Sequence, residues 1–78
     1  MHYVYLLELN TSEYYAGSTA DVKKRLLAHK SGKNTSTKNK RPVKLVWCGM
    51  FKTKKLAQDF EEYLKSSSGS AFRNKHLL

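Results

Sequence analysis

The chain contains 78 residues, which is the size of one small domain and excludes separate catalytic and targeting domains within it. Its 15 lysines and arginines outnumber its 6 aspartates and glutamates, giving a formal net charge of +9, and 40% of its residues are hydrophobic. The hydrophobic fraction makes one folded core feasible over residues 1–78, and the positive charge favours nucleic acid as a partner. The same charge excess is equally compatible with a role in solubility alone.

The sequence favours a cytoplasmic protein without a membrane partner. Cys48 is the only cysteine, so no internal disulfide can form, and its apolar neighbours predict a buried thiol within a strand. The first residues carry no basic and apolar pattern typical of a signal peptide. No apolar run approaches about 20 residues, the length that spans a bilayer.

A β-hairpin is predicted at the start of the chain. Residues 3–9 are apolar or aromatic at nearly every position, which predicts a central strand covered on both faces. Turn-forming residues occupy positions 10–13, and residues 14–17 predict a short second strand. Alternation along the two strands can direct the side chains of Tyr5 and Tyr15 toward the same place.

The first helix is predicted from Val22 to Lys30, because Ser18 with Asp21 three residues later forms a helix-capping pattern. Asp21, Arg25 and His29 follow one another at spacings of four on one stripe of this helix. One face of the helix can therefore pack while a neighbouring face meets a ligand. The predicted buried stripe consists of Val22, Leu26 and Leu27.

An exposed basic loop is predicted at residues 32–41, which lack a hydrophobic period and carry four positive charges. Residues 43–51 then predict a third strand that places Val43, Leu45 and Trp47 on one deeply buried face. Basic side chains that contact phosphates add salt-dependent affinity without reading bases, so weak sequence specificity is expected. The candidates for these contacts are Lys33, Lys38, Lys40, Arg41, Arg73 and Lys75.

A second helix is predicted after Thr53, which can cap it, because apolar residues then recur at spacings of three and four. Glu61 lies at the margin of the apolar stripe, whereas Glu62 is rotated about 100° further toward solvent. Glu61 is therefore the better candidate for a site carboxylate. Residues 66–70 predict a helix break, and residues 71–78 predict a short terminal helix. The stripe consists of Leu56, Ala57, Phe60, Tyr63 and Leu64.

The element order β-β-α-β-α-α predicts an α+β fold, in which helices flank a small three-stranded antiparallel sheet. Taken singly, each candidate residue has an ordinary structural explanation. Arg25 and Glu61 can form helical ion pairs with Asp21 and Lys65 at spacings of four, and tyrosines commonly pack in cores. The histidines and Cys48 match no zinc-ligand spacing and no pattern for a cysteine nucleophile.

Taken together, the residues form a recognisable order: Tyr3-Val4-Tyr5, Tyr15-Ala16-Gly17, a helix with Arg25 and His29, and a later helix with Glu61. In this order the chain resembles the GIY-YIG nuclease domain, a family that includes homing endonucleases and the amino-terminal nuclease of the bacterial excision-repair incision subunit. The resemblance covers essentially the whole chain. Tyr3 stands where the first triplet has glycine, and Ala16 stands where the second has isoleucine, so packing beside the site differs more than its chemistry.

The resemblance implies an active site. Tyr5 and Tyr15 match the tyrosines of the two triplets, Arg25 and His29 match the arginine and histidine of the first helix, and Glu61 matches the single metal-binding glutamate. The implied reaction is hydrolysis of a DNA phosphodiester with one divalent ion, Mg²⁺ or Mn²⁺, in DNA repair or recombination. In the implied mechanism Tyr5 helps to activate water, His29 takes or relays a proton, and Tyr15 positions the phosphate or the water.

Two other functions remain compatible with the sequence. A nonenzymatic nucleic-acid-binding module would keep the fold and the basic surface, and it would bind in a salt-dependent way without metal-dependent cleavage. A regulatory subunit would supply the same domain to a larger complex, with a protein partner or a second copy of itself. The sequence also leaves open whether Tyr5, His29 or another group is the general base.

Overall fold

The computed structural model describes residues 1–78 and contains one antiparallel sheet of three strands and three α-helices. The strands are β1 (His2–Glu8), β2 (Tyr14–Thr19) and β3 (Lys44–Phe51), and the helices are α1 (Val22–Lys30), α2 (Lys54–Lys65) and α3 (Ser67–His76). The strand order β2-β1-β3 places β1 at the centre, and the predicted α+β fold and element order are confirmed. None of the helices is both long enough and apolar enough to cross a membrane.

Two apolar clusters lie on opposite faces of β1, because successive side chains of a strand point to opposite sides. On one face Val4 and Leu6 pack with Ala57 and Leu64 of α2. The other face carries Tyr5, Leu7 and Leu9 of the amino-terminal segment, Val43, and the partly buried Tyr15, Leu26 and Leu45. The buried tyrosine of β1 therefore belongs to the face that α1 approaches, and α2 covers the opposite face.

A β-bulge in β3 explains one wrong prediction. Leu6 pairs with Trp47 and Leu7 pairs with Leu45, so Val46 is an extra residue in β3. The extra residue reverses the alternation, and Leu45 packs in the cluster of Tyr5 whereas Trp47 packs in the cluster on the α2 side. The prediction that one buried face of β3 carries Val43, Leu45 and Trp47 is therefore wrong.

Cys48 is exposed, which corrects the prediction of a buried thiol. The residue pairs with the central strand, but β3 is an edge strand of the sheet and most of its residues are only partly buried or exposed. The apolar composition of the segment predicted a strand correctly. It did not indicate which of its side chains the helices would cover, because coverage depends on the tertiary arrangement.

Helix α1 spans Val22–Lys30 as predicted, but its cap and its buried face differ from the prediction. Its N-cap is Asp21, whose carboxylate accepts a hydrogen bond from the Lys24 amide at 3.0 Å, because β2 continues to Thr19 and leaves Ser18 inside the strand. Leu27 is 59% exposed, whereas His29 is fully buried. The helix therefore packs through His29 together with the partly buried Val22 and Leu26, at spacings of four and three.

Helices α2 and α3 are separated by a single residue. Thr53 caps α2 as predicted, accepting a hydrogen bond from the Leu56 amide at 3.2 Å. The predicted break over residues 66–70 is confined to Ser66, which has an extended backbone and caps α3 by accepting from the Gly69 amide at 3.1 Å. The serine run is therefore the first turn of α3, because one serine cap replaces the predicted loop.

Candidate active site

A hydrogen-bonded chain of three buried side chains lies between β1 and α1. The Tyr5 hydroxyl is 2.9 Å from Nε2 of His29, and Nδ1 of the same imidazole is 2.7 Å from Oγ1 of Thr37. His29 and Thr37 are fully buried, and Tyr5 is 2% exposed. The imidazole is thus held through both nitrogens, which fixes its orientation beside the tyrosine hydroxyl.

The second tyrosine of the site joins this group through ring contacts. Tyr5 pairs with Gly17 across the hairpin, so Tyr15 lies diagonally beside Tyr5 on the same face. The Tyr15 ring centroid is 6.3 Å from that of Tyr5 and 5.1 Å from the imidazole centroid of His29. A side chain on Gly17 would overlap the Tyr5 hydroxyl, so the glycine leaves the space that this hydroxyl occupies.

Electrostatic effects on Tyr5 link all the candidate residues. Burial raises the pKa of Tyr5 to about 12, and Tyr15 and, more weakly, Glu61 act in the same direction, whereas Arg25 lowers it. Burial, followed by the charge of Arg25, lowers the pKa of His29 below its usual 6.5, which keeps the imidazole neutral. The Tyr5 hydroxyl therefore lies within electrostatic reach of both the guanidinium and the carboxylate.

Arg25 is available to a ligand at the surface. It is exposed and borders a depression of about 310 Å³ formed by the end of β2 and the start of α1. Arg25 takes part in none of the ion pairs of the molecule, and the carboxylate of Asp21, the partner that the sequence suggested, caps α1 instead. The sequence alternative of an Arg25–Asp21 ion pair is thus absent, and the guanidinium can meet an anion.

Glu61 forms an ion pair that the sequence also suggested. Its Oε2 atom accepts a hydrogen bond from Nζ of Lys65 at 2.7 Å, and its side chain is 20% exposed. No group of three or more His, Cys, Asp or Glu side chains forms a metal-binding cluster. A single carboxylate fits Mg²⁺, which retains several waters and takes other ligands from substrate phosphates. It does not fit zinc, which takes three or four protein ligands.

The basic residues predicted to contact nucleic acid fall into two groups. Lys40 is ion-paired with Glu13 at 3.4 Å. Arg41 donates hydrogen bonds to two backbone carbonyls, and Arg73 lies over an aromatic ring at 4.8 Å from its centroid. These three side chains have structural contacts that a phosphate would have to share or replace. The exposed residues that take part in no ion pair are Lys33, Lys38 and Lys75.

Thr37 is the residue of this site that sequence reasoning missed. It lies in the basic loop, before a short 3₁₀ helix at Lys38–Lys40, and the loop folds back so that its side chain is fully buried against His29. Nothing in the local sequence distinguishes it from Thr35 and Ser36, which are exposed. Thr37 lies beyond the end of α1, eight residues after His29, so only the folded loop shows the contact.

Comparison with known proteins gives this geometry a family. Residues 1–75 match the family model of the GIY-YIG catalytic domain. The chain is 38% identical over 65 residues to the UPF0213 protein YazA of Bacillus subtilis, and 41% identical over 64 residues to a UPF0213 protein of Streptococcus pneumoniae. These matches cover 82% and 81% of this chain but only 66% and 65% of the relatives.

A solved structure agrees with the sequence relatives. The solution NMR structure of the UPF0213 protein BH0048 from Bacillus halodurans is similar to this chain with a TM-score of 0.60 and 34% sequence identity. The similarity covers 95% of this chain and 82% of that one, so it includes the sheet and all three helices. The family match, the relatives and the fold agree with one another, and the chain belongs to the GIY-YIG catalytic domain family.

Proposed function

We propose that the protein is a divalent-metal-dependent endonuclease that hydrolyses DNA phosphodiester bonds, with structure-dependent or weak sequence preference. The observation that carries this proposal is the convergence on one hydroxyl group. Tyr5 is hydrogen-bonded to His29, its ring lies beside that of Tyr15 in a tilted arrangement, and its hydroxyl is within electrostatic reach of Arg25 and Glu61. These are groups that hold a phosphate, orient water and meet the charge that develops during hydrolysis.

Arg25 is the phosphate-binding residue in this proposal. Attack on a phosphodiester places additional negative charge on the nonbridging oxygens. A guanidinium offers two parallel N–H donors to such oxygens, and Arg25 is exposed and forms no ion pair. Tyr15, only partly buried beside His29, is placed to donate a hydrogen bond to the same phosphate or to the attacking water.

Glu61 is the residue that would hold one Mg²⁺ or Mn²⁺, and a bound ion supplies positive charge for the leaving oxygen. Nζ of Lys65 lies 2.7 Å from this carboxylate. The side chain of Lys65 is 54% exposed, so it can turn toward solvent and release the carboxylate. The cost of this exchange is small, because a solvent-accessible ion pair typically contributes about 0–1 kcal/mol.

The hydrogen-bonded chain favours one tautomer of His29. If Nδ1 carried the hydrogen, it would donate to Thr37, and the buried Thr37 hydroxyl would have no acceptor, because His29 is its only side-chain partner. An unsatisfied buried polar group costs about 1–3 kcal/mol. If Nε2 carries the hydrogen, Thr37 donates to Nδ1 and His29 donates to the Tyr5 oxygen. With the hydrogen on Nε2, only the hydroxyl hydrogen of Tyr5 is left without an acceptor. It lies at the end of the hydrogen-bonded chain of side chains, where a ligand can accept it.

This tautomer gives Tyr5 and His29 distinct roles. A donor at Nε2 stabilises the phenolate of Tyr5, and so does the positive charge of Arg25. The phenolate would take a proton from the attacking water, and neutral His29 would hold the phenolate oxygen in place throughout. Burial favours the neutral phenol, with a pKa of about 12, so the phenolate base would form only where further positive charge, which a divalent ion held by Glu61 would supply, offsets the effect of burial.

A cleavage assay tests the proposal. We expect the wild-type protein to cut supercoiled, flapped or branched DNA in Mg²⁺ or Mn²⁺ and not in excess chelator. Glu61→Gln should reduce the cleavage rate by about 100-fold or more while DNA binding persists. Glu62→Gln is the matched control, because it removes the same charge one position away at an exposed site. Equal cleavage by the wild type and Glu61→Gln would remove Glu61 from the chemistry.

A nonenzymatic DNA-binding module is the second candidate, and one observation favours it. The Glu61 carboxylate is ion-paired with Lys65, and burial raises the pKa of Tyr5 to about 12, so the carboxylate has a structural partner and the phenol is neutral. This candidate predicts DNA binding that weakens steeply with salt, together with no metal-dependent cleavage of linear, supercoiled, flapped or junction DNA. The same substrate panel therefore separates the two functions.

A further inference from the structure

The outward face of α1 is an unusual surface for a helix. Leu27 is 59% exposed, although the helix buries the polar His29 on its other side. Lys24, Leu27, Ala28 and Ser31 follow one another at spacings of three, one and three, so they share one stripe of the helix. An exposed leucine alone needs no explanation, but here it lies between lysines on a concave surface.

The concave surface continues from the candidate active site. The depression beside Arg25 and a second one, of about 430 Å³, have Lys24 and Ala28 in common. The second depression extends from these two residues past Leu27 to Lys33, beyond the end of α1. The two depressions therefore adjoin each other on the outward face of α1, on either side of Lys24 and Ala28.

We propose that the second depression binds the part of a DNA strand that adjoins the cleaved phosphate. Lys24 and Lys33 contact flanking phosphates, and the Leu27 side chain contacts a sugar or the face of a base. This inference rests on the proposed nuclease function and adds the path of the substrate to it. Lys33 was predicted to contact phosphate as part of the basic loop. Neither Lys24 nor Leu27 was predicted to contact a ligand.

The positive charge that lines the second depression favours a nucleic acid over a protein segment as its ligand. The second depression is lined by two lysines and no carboxylate, in a chain with a net charge of +9. The one carboxylate of the first depression belongs to Asp21, which is used as the helix cap. Arg25 and Ser31 are about 9 Å apart along the helix axis. This distance corresponds to the axial rise of about two to three base pairs of duplex DNA, at about 3.4 Å each.

Binding measurements test the inference separately from catalysis. The protein carries Glu61→Gln to prevent cleavage, and the affinity for a fluorescent flapped DNA is measured by anisotropy at several salt concentrations. Lys24→Ala with Lys33→Ala should weaken binding about 10-fold or more. It should also reduce the slope of log affinity against log salt by about 1.4 to 1.8, the loss of two phosphate contacts. Lys52→Ala with Lys54→Ala is the control, because these exposed lysines line neither depression.

Leu27→Ser distinguishes a specific apolar contact with DNA from nonspecific electrostatic attraction. It should weaken binding severalfold without changing the salt slope, and it should leave the fold unchanged because the side chain is exposed. The proposed DNA path over α1 would be wrong if the two double-lysine variants weakened DNA binding equally, or if Leu27→Ser left the affinity for DNA unchanged. Either result would leave the proposal of metal-dependent cleavage standing. If the unsubstituted protein neither bound nor cleaved DNA, the proposed nuclease function itself would be wrong.

Discussion

Thr37 acts on the candidate site only through His29. It contacts the imidazole at 2.7 Å, is fully buried, and lies on the side away from Tyr5. Its hydroxyl can donate to Nδ1 and thereby leave the hydrogen of the neutral imidazole on Nε2. Thr37 is therefore a positioning residue, whose effect on catalysis passes through the tautomer of a neighbouring side chain.

We expect Thr37→Val to remove this preference, because valine has nearly the shape of threonine but neither donates nor accepts a hydrogen bond. The ¹⁵N chemical shifts of the His29 ring should identify the Nε2–H tautomer in the wild type and a changed tautomer distribution in Thr37→Val. The cleavage rate should fall about 10-fold or more, as expected when a catalytic group is misplaced.

Thr37→Ser separates positioning from packing, since serine keeps the hydroxyl and loses a methyl group. It should restore the Nε2–H signature and most of the cleavage rate, even if its stability is lower than that of the wild type. A wild-type protein with the hydrogen on Nδ1, or unchanged ring shifts in Thr37→Val, would contradict the assigned roles of Thr37 and His29.

Gly17 supports Tyr5 by leaving space for its hydroxyl. A Cβ atom at this position would overlap the end of the Tyr5 side chain, which is buried and hydrogen-bonded. Gly17→Ala should therefore displace the phenol and reduce the cleavage rate by about 100-fold, because small displacements of reacting groups are costly. Gly49→Ala is the control, since its Cβ would press on Trp47 of the same strand, β3, whose side chain packs on the α2 side of the sheet rather than with Tyr5. Comparable cleavage by both variants would show that Tyr5 adapts to the change.

At the scale of the elements, sequence patterns predicted those structures whose formation depends on local periodicity. β1 is apolar on both faces and is the central strand, and α2 begins at the predicted Thr53 cap. The bulge at Val46 was not predictable, because pairing with β1 creates it. The burial of Thr37 and the exposure of Leu27 were missed for a related reason, since both depend on how a loop or helix docks.

Sequence patterns likewise predicted only part of the candidate site. Alternation within a hairpin is sufficient to predict that Tyr5 and Tyr15 share a face, and the structure places them there. Helical spacing suggested that Arg25 and His29 can meet a ligand and that Glu61 is a site carboxylate. The resemblance to a known family was needed to join these three residues to the two tyrosines. Their electrostatic coupling to Tyr5 adds physical support, but their catalytic roles stay a prediction until cleavage is measured.

Gly69 permits the tight junction of α2 and α3. Only Ser66 separates the helices, and a Cβ on Gly69 would overlap the backbone carbonyl of Tyr63 at the end of α2. Backbone cannot move aside as a side-chain end can, so Gly69→Ala should lower the free energy of unfolding by about 3 kcal/mol. Urea denaturation measures this change. Ser68→Ala, at an exposed position of the same turn, should remain within about 0.5 kcal/mol of the wild type.

At the scale of the whole molecule, one histidine links the core to the site. His29 is fully buried in a chain that has few other buried polar side chains, and it forms the contact between α1, β1 and the basic loop. A small domain buries only about 60% of its unfolded surface, so each buried group is a large share of its stability. The protonation of His29 therefore affects folding, and in the proposed nuclease it would affect cleavage as well.

We expect the free energy of unfolding to decrease as the pH falls below about 6.5, the usual pKa of histidine in an unfolded chain. Burial lowers the pKa of His29 in the folded protein, so the unfolded state binds more protons between these two pKa values. The stabilisation is fully present above the unfolded pKa and is lost as the pH falls through the folded one. Urea denaturation between pH 5 and pH 7.5 measures this dependence.

His29→Gln should be less stable than the wild type at every pH but should lack most of this decrease. His76→Gln, at an exposed position, should retain it. Glu13, whose pKa is lowered below 4.5 by a hydrogen bond from Thr11 and by Lys40, titrates below the chosen pH range and does not imitate the effect. If His29→Gln kept the full wild-type pH dependence, another group would be responsible, and a buried neutral imidazole between Tyr5 and Thr37 would be contradicted.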